Sequence, residues 1–403
     1  MKVKICFITS TIFNLGGVQR VLSVVASELS KFHDVDILCT DNSYEINREL
    51  YDLELGVNVI FGQDLIKKNF FQKALYGVIK KINFKTGFLN NKKNINTLTE
   101  IYYPKKIQDK FIDYLNKKNY DIVIGVEGIY SLLLGIISDK LNSKTIGWQH
   151  NSYDAYLDNK NKYYWNLDEL FKQYIPQLNK YIVLTEYDKE KFKEKMGIES
   201  TVIYNPLSFK SNIKSQLKDK SIIFVGRLVE KQKGLDLLIE AFSLVNKVRN
   251  DWNLKIVGDG PNKEQLIKNI KKHGLESKVT LIGRSSNVKK YYLESSLFLS
   301  TSRWEGFGLV ITEAMECGLP VIAFDNSGPK EIINKNNING ILVPLGEINK
   351  LSEEIINLID NYEKRKAISK EAIKRANDFS VESIIKEWND IFNDIINWEI
   401  SYE

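Results

Sequence analysis

Short runs of β-branched and aliphatic residues, each ending in glycine or a small polar residue, alternate along this chain with longer stretches of helical period. Strands that are apolar on both faces and regularly separated by helix belong to parallel sheets wrapped in helices. In the first half the runs fall near residues 2–9, 35–39, 58–61, 122–126, 144–148 and 181–184. In the second half they fall near 221–225, 254–257, 279–282, 297–300, 321–323 and 340–343. The scheme thus occurs twice, and 403 residues suffice for two cores. Asn205-Pro206 and the Lys/Ser/Asn-rich stretch to Lys220 lack periodicity and read as a linker and hinge. We expect an α/β protein of two doubly wound parallel-sheet domains, 1–204 and 205–380, facing each other across a cleft. Helices are expected near 351–359, 363–377 and 381–398, the last segment, 381–403, crossing back to the first domain. Ligands of open α/β sheets sit outside the carboxyl ends of the strands, so that edge is where chemistry is sought.

Composition removes several alternatives. With 43% hydrophobic residues, 27% charged residues and 7 prolines, the chain has the make-up of an ordered globular protein. Cys6, Cys39 and Cys317 stand singly in apolar runs without metal-ligand spacing, the usage of a reducing compartment. No uncharged apolar stretch reaches the roughly 18 residues of a bilayer span, because Glu127 interrupts the best one, 122–138. A glycine pair, not a cleavage site, follows the apolar start. We therefore expect a cytoplasmic chain with neither a membrane span nor a signal peptide.

Charge is unevenly placed. The net value is +6, yet residues 65–99 alone hold eight lysines (67, 68, 73, 80, 81, 85, 92 and 93) and no acid. Phe70, Phe71, Leu75, Val78, Ile79, Phe84 and Phe88 are interleaved with them. This mixture fits a segment resting on an anionic inner-leaflet surface, and equally a solvated helix with an ordinary core side. No nucleic-acid motif accompanies the lysines, so nucleic acid is not the expected partner.

Four segments carry chemistry. Gly16-Gly17 follow the first strand and open a helix, where exposed amides at a positive helix end suit a phosphate. Neither a dinucleotide fingerprint nor a P-loop is present, which argues against an NAD-dependent enzyme. Gly226-Arg227 follow the first strand of the second half, and Lys233-Gly234 come shortly after; the two cations can offset the charge of a diphosphate. Gly258-Asp259-Gly260-Pro261 and Gly283-Arg284 end the next two strands on the same edge. Finally, residues 300–323 read strand, glycine-rich loop, helix, strand, with Glu305 in the loop and Glu313 in the helix. At a helical rise the eight-residue offset is about 12 Å, too wide for a hydrolase pair and suited to both ends of one extended ligand. The amides from Gly306 through Phe307 and Gly308 to Leu309 lie between them at a helix start.

These segments, in this order, resemble the retaining nucleotide-sugar glycosyltransferases of family 4, which have the GT-B fold of two Rossmann-like domains. The resemblance spans most of the chain and is strongest from about 221 to 344. It implies that Arg227 and Lys233 bind a donor diphosphate, Glu313 the ribose, Glu305 the donor sugar, and Gly17 the phosphates from the first domain. It places His150, in Trp148-Gln149-His150-Asn151, beside the reacting sugar as a polar contact rather than a general base. Glu127, in Gly125-Val126-Glu127-Gly128, is a second polar residue on that edge. Asp34-Val35-Asp36 matches a metal-holding D-x-D of another glycosyltransferase fold but lies between a helix and a strand, so no metal or other cofactor is expected. The implied activity is transfer of a sugar from a UDP-sugar to a lipid-linked saccharide in bacterial capsule, exopolysaccharide or O-antigen synthesis, the protein sitting peripherally on the inner membrane face. A glycogen- or sucrose-synthase-like enzyme with a soluble acceptor, or a non-catalytic binder of sugar nucleotides or polyanions, stays open at this level.

Overall fold

The strands form where the apolar runs were read. In the computed structural model, which describes residues 2–67, 70–160 and 163–397, the first sheet is built from β1 (Lys4–Thr9), β2 (Asp34–Cys39), β3 (Val57–Phe61), β4 (Ile122–Val126), β5 (Lys144–Trp148), β6 (Lys180–Val183) and β7 (Thr201–Val202). All pair in parallel in the order β3-β2-β1-β4-β5-β6-β7. Phe7 sits beside Ile37 on one side and Ile124 on the other, and all three are buried. The two-residue β7 was not anticipated; it is too short to show a period. Covering helices are α1 (Gly17–Leu29), α2 (Phe70–Thr86), α3 (Ile95–Tyr102), α4 (Lys105–Lys118), α5 (Glu127–Ile137), α6 (Asp168–Tyr174) and α7 (Glu186–Met196). Their ends follow local chemistry: α4 stops at Asn119 in the left-handed region, and α7 runs from a Thr185 side-chain cap to Gly197, also left-handed. Phe111, Phe171 and Phe192 are fully buried beneath these helices.

The second sheet repeats the plan with β8 (Ser221–Val225), β9 (Asn253–Val257), β10 (Val279–Gly283), β11 (Leu297–Ser300), β12 (Val321–Phe324) and β13 (Ile341–Val343), in the order β10-β9-β8-β11-β12-β13. Its helices are α8 (Glu230–Lys233), α9 (Leu235–Val248), α10 (Lys263–Lys272), α11 (Val288–Leu293), α12 (Leu309–Glu316), α13 (Ser327–Ile332), α14 (Ile348–Asp360) and α15 (Tyr362–Asn377). In each sheet the strand order reverses at one point, between β1 and β4 and between β8 and β11. Successive crossovers leave in opposite directions there, which opens a crevice at the carboxyl ends.

Chain contacts divide the molecule into one unit of Met1–Pro206 with the C-terminal helix, and another of Leu207–Ser380. The stretch read as a linker is fixed to the second unit. Leu207 N–H donates to Phe379 O at 2.8 Å, and the Glu316 carboxylate accepts from Ser211 N–H at 2.7 Å and Lys214 Nζ at 2.9 Å.

The last helix, α16 (Val381–Asn397), belongs to the first unit. Its apolar face presents Trp388 edge-on to Trp148, ring centroids 4.9 Å apart, and Asn389 Oδ1 meets His33 Nε2 at 2.8 Å. Trp398, read into this helix from the sequence, lies outside the described residues. Trp388 and Trp148 are both buried, so Trp388→Ala leaves a large void. We expect it to cost about 3–5 kcal/mol. In urea unfolding followed by circular dichroism, the transition of the first unit should move to lower denaturant while that of Leu207–Ser380 stays in place.

Candidate functional site

At the switch point of the second sheet, the loops after β8 and β11 bring basic and acidic groups together. Lys233 Nζ contacts Glu305 Oε1, and the side chains are only 14% and 9% exposed. Ser302 Oγ donates to the same carboxylate oxygen at 2.6 Å, so Glu305 is held from two sides. The surrounding backbone is tied in as well. Thr301 Oγ1 donates to Lys233 O at 2.9 Å, Arg303 N–H donates to Gln232 O at 2.7 Å, and the Arg303 guanidinium grips Asp236 in a fork at 2.6 and 3.0 Å. Arg227 stands differently: its side chain is exposed and has no ion-pair partner among the described residues. The two cations thus share a loop, but one is open to ligand and the other is already paired.

Glycines shape this loop through backbone contact. Gly258 has φ +147°, and a Cβ there would lie 1.9 Å from Gly226 O. Gly234, at φ +61°, would place a Cβ 2.1 Å from Thr301 O. Leu228 N–H donates to Asp259 O and Asn262 N–H returns to Leu228 O, so the Gly258-Asp259-Gly260 turn buttresses the Arg227 loop from beneath. Gly258 therefore serves backbone packing at this point. Arg284 is exposed beyond β10, two strands from the switch point and about 10 Å to the side at ordinary strand spacing.

The helix after β11 starts at Leu309 from Gly308, which has φ +108° and offers no side-chain cap; no acid occupies the first turn. The amides at that start remain available to an anion. Gly306 is half-buried in the approach. Phe307, counted from the sequence among the ligand-binding residues, is 3% exposed and packs edge-on against Phe379, so its ring anchors the loop from inside. Glu305 precedes the helix, so the helical rise used to space the two glutamates applies only from Leu309 onward. Glu313 is nearly fully buried, and Tyr292 OH donates to its Oε2 at 3.0 Å. Ser302, Asp236 and Tyr292 were missed in the sequence because single polar residues give no periodic signal. An open cavity of about 550 Å³ lies farther out, at the carboxyl ends of β12 and β13, with Asp325, Lys330, Asn334 and Lys350 in its lining.

In the first unit, the same edge carries the other predicted residues. Gly16 is extended, φ −176°, its N–H donates to Tyr51 OH at 2.9 Å, and α1 begins at Gly17 with no side-chain cap and no acid in its first turn. His150 follows β5 with its ring 4.3 Å from that of Trp148, and its Nε2 is buried without a hydrogen-bond partner among the described residues. Burial pushes the imidazole down to about 3, so the ring is neutral at physiological pH. Glu127 opens α5 directly after β4 with φ 67°, and burial raises its carboxyl above the usual range. The Asp34 and Asp36 carboxylates go elsewhere: Asp34 pairs with Lys2 at 2.8 Å, and Asp36 accepts from Tyr120 OH at 2.7 Å and Asn58 Nδ2 at 3.2 Å.

Two parallel-sheet α/β units with these switch points define the GT-B fold. Solved structures agree: a mutant of Staphylococcus aureus TarM in complex with fondaparinux, alpha-GlcNAc-glycerol and UDP matches over 97% of this chain and 100% of its own, with 19% identity and a TM-score of 0.73. Anabaena HepE in complex with UDP and glucose matches over 97% and 99%, with 20% identity and a TM-score of 0.72. Residues 208–375 match the family model described as glycosyl transferases group 1. An uncharacterized glycosyltransferase of Methanocaldococcus jannaschii is 30% identical over 79% of this chain and 90% of its own length. The chain belongs to the group 1 glycosyltransferases. It is also 27% identical, over 97% of its length and 99% of the relative's, to the amylovoran biosynthesis glycosyltransferase AmsD of Erwinia amylovora. A Campylobacter jejuni N-acetylgalactosaminyltransferase acting on a diphospho-undecaprenol substrate is 34% identical over 42% of this chain and 46% of its own.

The buried imidazole sets a pH dependence. Its folded pKa of about 3 lies below the unfolded value of roughly 6.5, so the unfolded chain binds a proton that the folded chain refuses. The corresponding stability is complete above about pH 6.5 and is lost progressively as pH falls toward about 3. His150→Asn should flatten this acid limb, measured as a smaller drop in urea midpoint between roughly pH 7 and pH 4.5 than in the wild type.

Proposed function

We propose that this glycosyltransferase transfers a hexosyl group, with retention and without a metal ion, from a UDP-sugar to a lipid-linked saccharide during assembly of a bacterial surface polysaccharide. The observation that carries the reading is the meeting of Lys233 and Glu305 where β8 and β11 diverge, with Arg227 open beside them. Breaking a glycosyl–phosphate bond leaves charge on the departing diphosphate, and a catalyst must hold more of that charge in the transition state than in the ground state. Arg227 supplies a cation without an ion-pair partner among the described residues, and the pairing of Lys233 with Glu305 keeps both oriented until a diphosphate and sugar hydroxyls exchange into their place. Arg227 and Lys233 together offset about two negative charges, the role a divalent cation would otherwise take. The helix starts at Leu309 and Gly17 suit the phosphates, Glu313 the ribose, and neutral His150 a polar contact to the sugar.

The lipid-linked acceptor draws support from α2. Leu75, Val78 and Ile82 recur at helical spacing on its solvent side and are 58%, 57% and 47% exposed. Tyr76 reaches Glu100 and Ile79 packs on the core from the adjoining face, so of the interleaved apolar residues some face inward. Lys73, Lys81 and Lys85 are exposed on the same helix, and Phe88 is exposed just beyond it. The side chains of Phe70 and Phe71, and Lys68 altogether, lie outside the described residues. An apolar stripe flanked by lysines suits shallow insertion at an anionic inner-leaflet surface. No helix among the described residues is long and apolar enough to cross a membrane, and peripheral attachment needs none.

Arg227→Ala and Lys233→Ala should each lower turnover by about 10²-fold or more, measured as UDP release from the preferred UDP-sugar; wild-type rates would refute the assignment. In liposome flotation the wild type should float with phosphatidylglycerol vesicles at low salt and less at high salt, while Lys81→Glu/Lys85→Glu should stay at the bottom. A wild type unbound at both salt levels points to a soluble acceptor.

A further inference from the structure

We propose that Trp388, on the C-terminal helix α16, is a positioning residue for His150: acting through Trp148, it sets the direction in which the imidazole faces. The inference rests on the sugar contact proposed for His150. His150 and Trp148 stand at the end of β5, whereas Trp388 comes from the far end of the chain. The outer torsion of a histidine is broad and roughly two-fold, so hydrogen bonds or neighbouring groups must choose how its ring lies. Here hydrogen bonds do not choose. His150 Nε2 is buried without a partner among the described residues, and burial alone lowers the basicity of the ring, with no charged or hydrogen-bonded group opposing it. What faces the imidazole is the indole of Trp148, ring centroids 4.3 Å apart and planes tilted by 51°.

Trp148 is itself placed by packing. Its Nε1 is buried without a partner among the described residues, and so is that of Trp388, although buried indole N–H groups usually find one. The indole therefore takes its position from the rings around it: Phe7 of β1 at 6.2 Å, and Trp388 at 4.9 Å with planes at 75°. Edge-on pairs are directional, the positive edge of one ring meeting the negative face of the other, so Trp388 fixes the tilt of Trp148 as well as its depth. Trp388 in turn is backed by a helix tied down at several points. It packs on Phe392 at 5.7 Å, and the His33 ring stands edge-on to Phe392 at 6.1 Å. Asn389 Oδ1 lies 2.8 Å from His33 Nε2, and Asp394 pairs with Lys180, the first residue of β6, at 2.7 Å. Contact is thus continuous from α16 to the imidazole, through an interior too closely packed to absorb a displaced ring. Without the indole at 388, Trp148 tilts, and the imidazole turns with it.

The test uses the full chain with Trp388→Phe, which keeps a ring against Trp148, Trp388→Met, which fills the space with a flexible chain, His150→Ala, and each Trp388 change combined with His150→Ala. Turnover is followed as UDP release from the UDP-hexose that the wild type uses fastest, at a temperature where circular dichroism shows the variants folded. The value of kcat should fall about 3-fold in Trp388→Phe and about 10-fold in Trp388→Met, less than the roughly 10²-fold that a 1 Å misplacement can cost, with UDP affinity unchanged. In the His150→Ala background the same changes should have no further effect. A purely structural role would lower both backgrounds alike, so equal losses in the two overturn the proposal, as do wild-type rates in both Trp388 variants. The ring is also observed directly. The chain has three histidines, and in NMR of the histidine-labelled protein the His150 resonance should move in both Trp388 variants, while that of His273 in the second unit stays in place. Should Trp388→Met not fold, Trp388→Phe decides by the same two readouts. Wild-type turnover in His150→Ala defeats the role given to that histidine, and a wild type that releases UDP from no UDP-hexose defeats the transferase reading. The resonance then decides the positioning by itself, and an unmoved His150 signal in Trp388→Phe overturns it.

Discussion

A parallel strand buried on both faces can meet solvent only at its ends, and this constraint decides where chemistry can occur in the chain. The helices that cover both sheets leave free backbone and polar side chains at the carboxyl edge, and the reversal of strand order parts two neighbouring loops there. Every residue proposed for a ligand-binding or catalytic role stands on one of the loops at that edge or in the helix that follows. The strands themselves are packing: Phe7, Phe224 and Phe298 are buried to 2% or less.

At the second sheet's switch point, electrostatics and packing support one another. Lys233 and Glu305 are enclosed as a pair, and removing one partner of a buried pair typically costs about 3–5 kcal/mol. Ser302 and the ties from Thr301 and Arg303 fix the geometry of the pair. Beneath it, the near contact between Gly258 and the Gly226 carbonyl excludes any side chain at 258, which makes that glycine a condition for the loop's shape.

Much of this was legible in the sequence, for physical reasons. The parallel strands announced themselves because burial on both faces demands continuous apolar runs, and twelve of them fall where strands were read. Glycines marked the loops because left-handed or crowded backbone needs them, as at Gly258 and Gly234. What stayed hidden were pairings between residues distant in the chain. That Lys233 is bound by Glu305 while Arg227 has no ion-pair partner among the described residues depends on side-chain direction, which residue type does not encode. Phe307 looked like part of a binding loop, and only packing against Phe379 shows its ring turned inward. The polar stretch to Lys220 read as free linker because its partners, the Phe379 carbonyl and Glu316, lie over a hundred residues away.

The return of α16 makes the first unit discontinuous in the chain. During synthesis the whole of Leu207–Ser380 emerges before Trp388 can cover Trp148, so the second unit has all its residues before the first is complete. Damage at the carboxyl terminus is therefore felt first in the amino-terminal core.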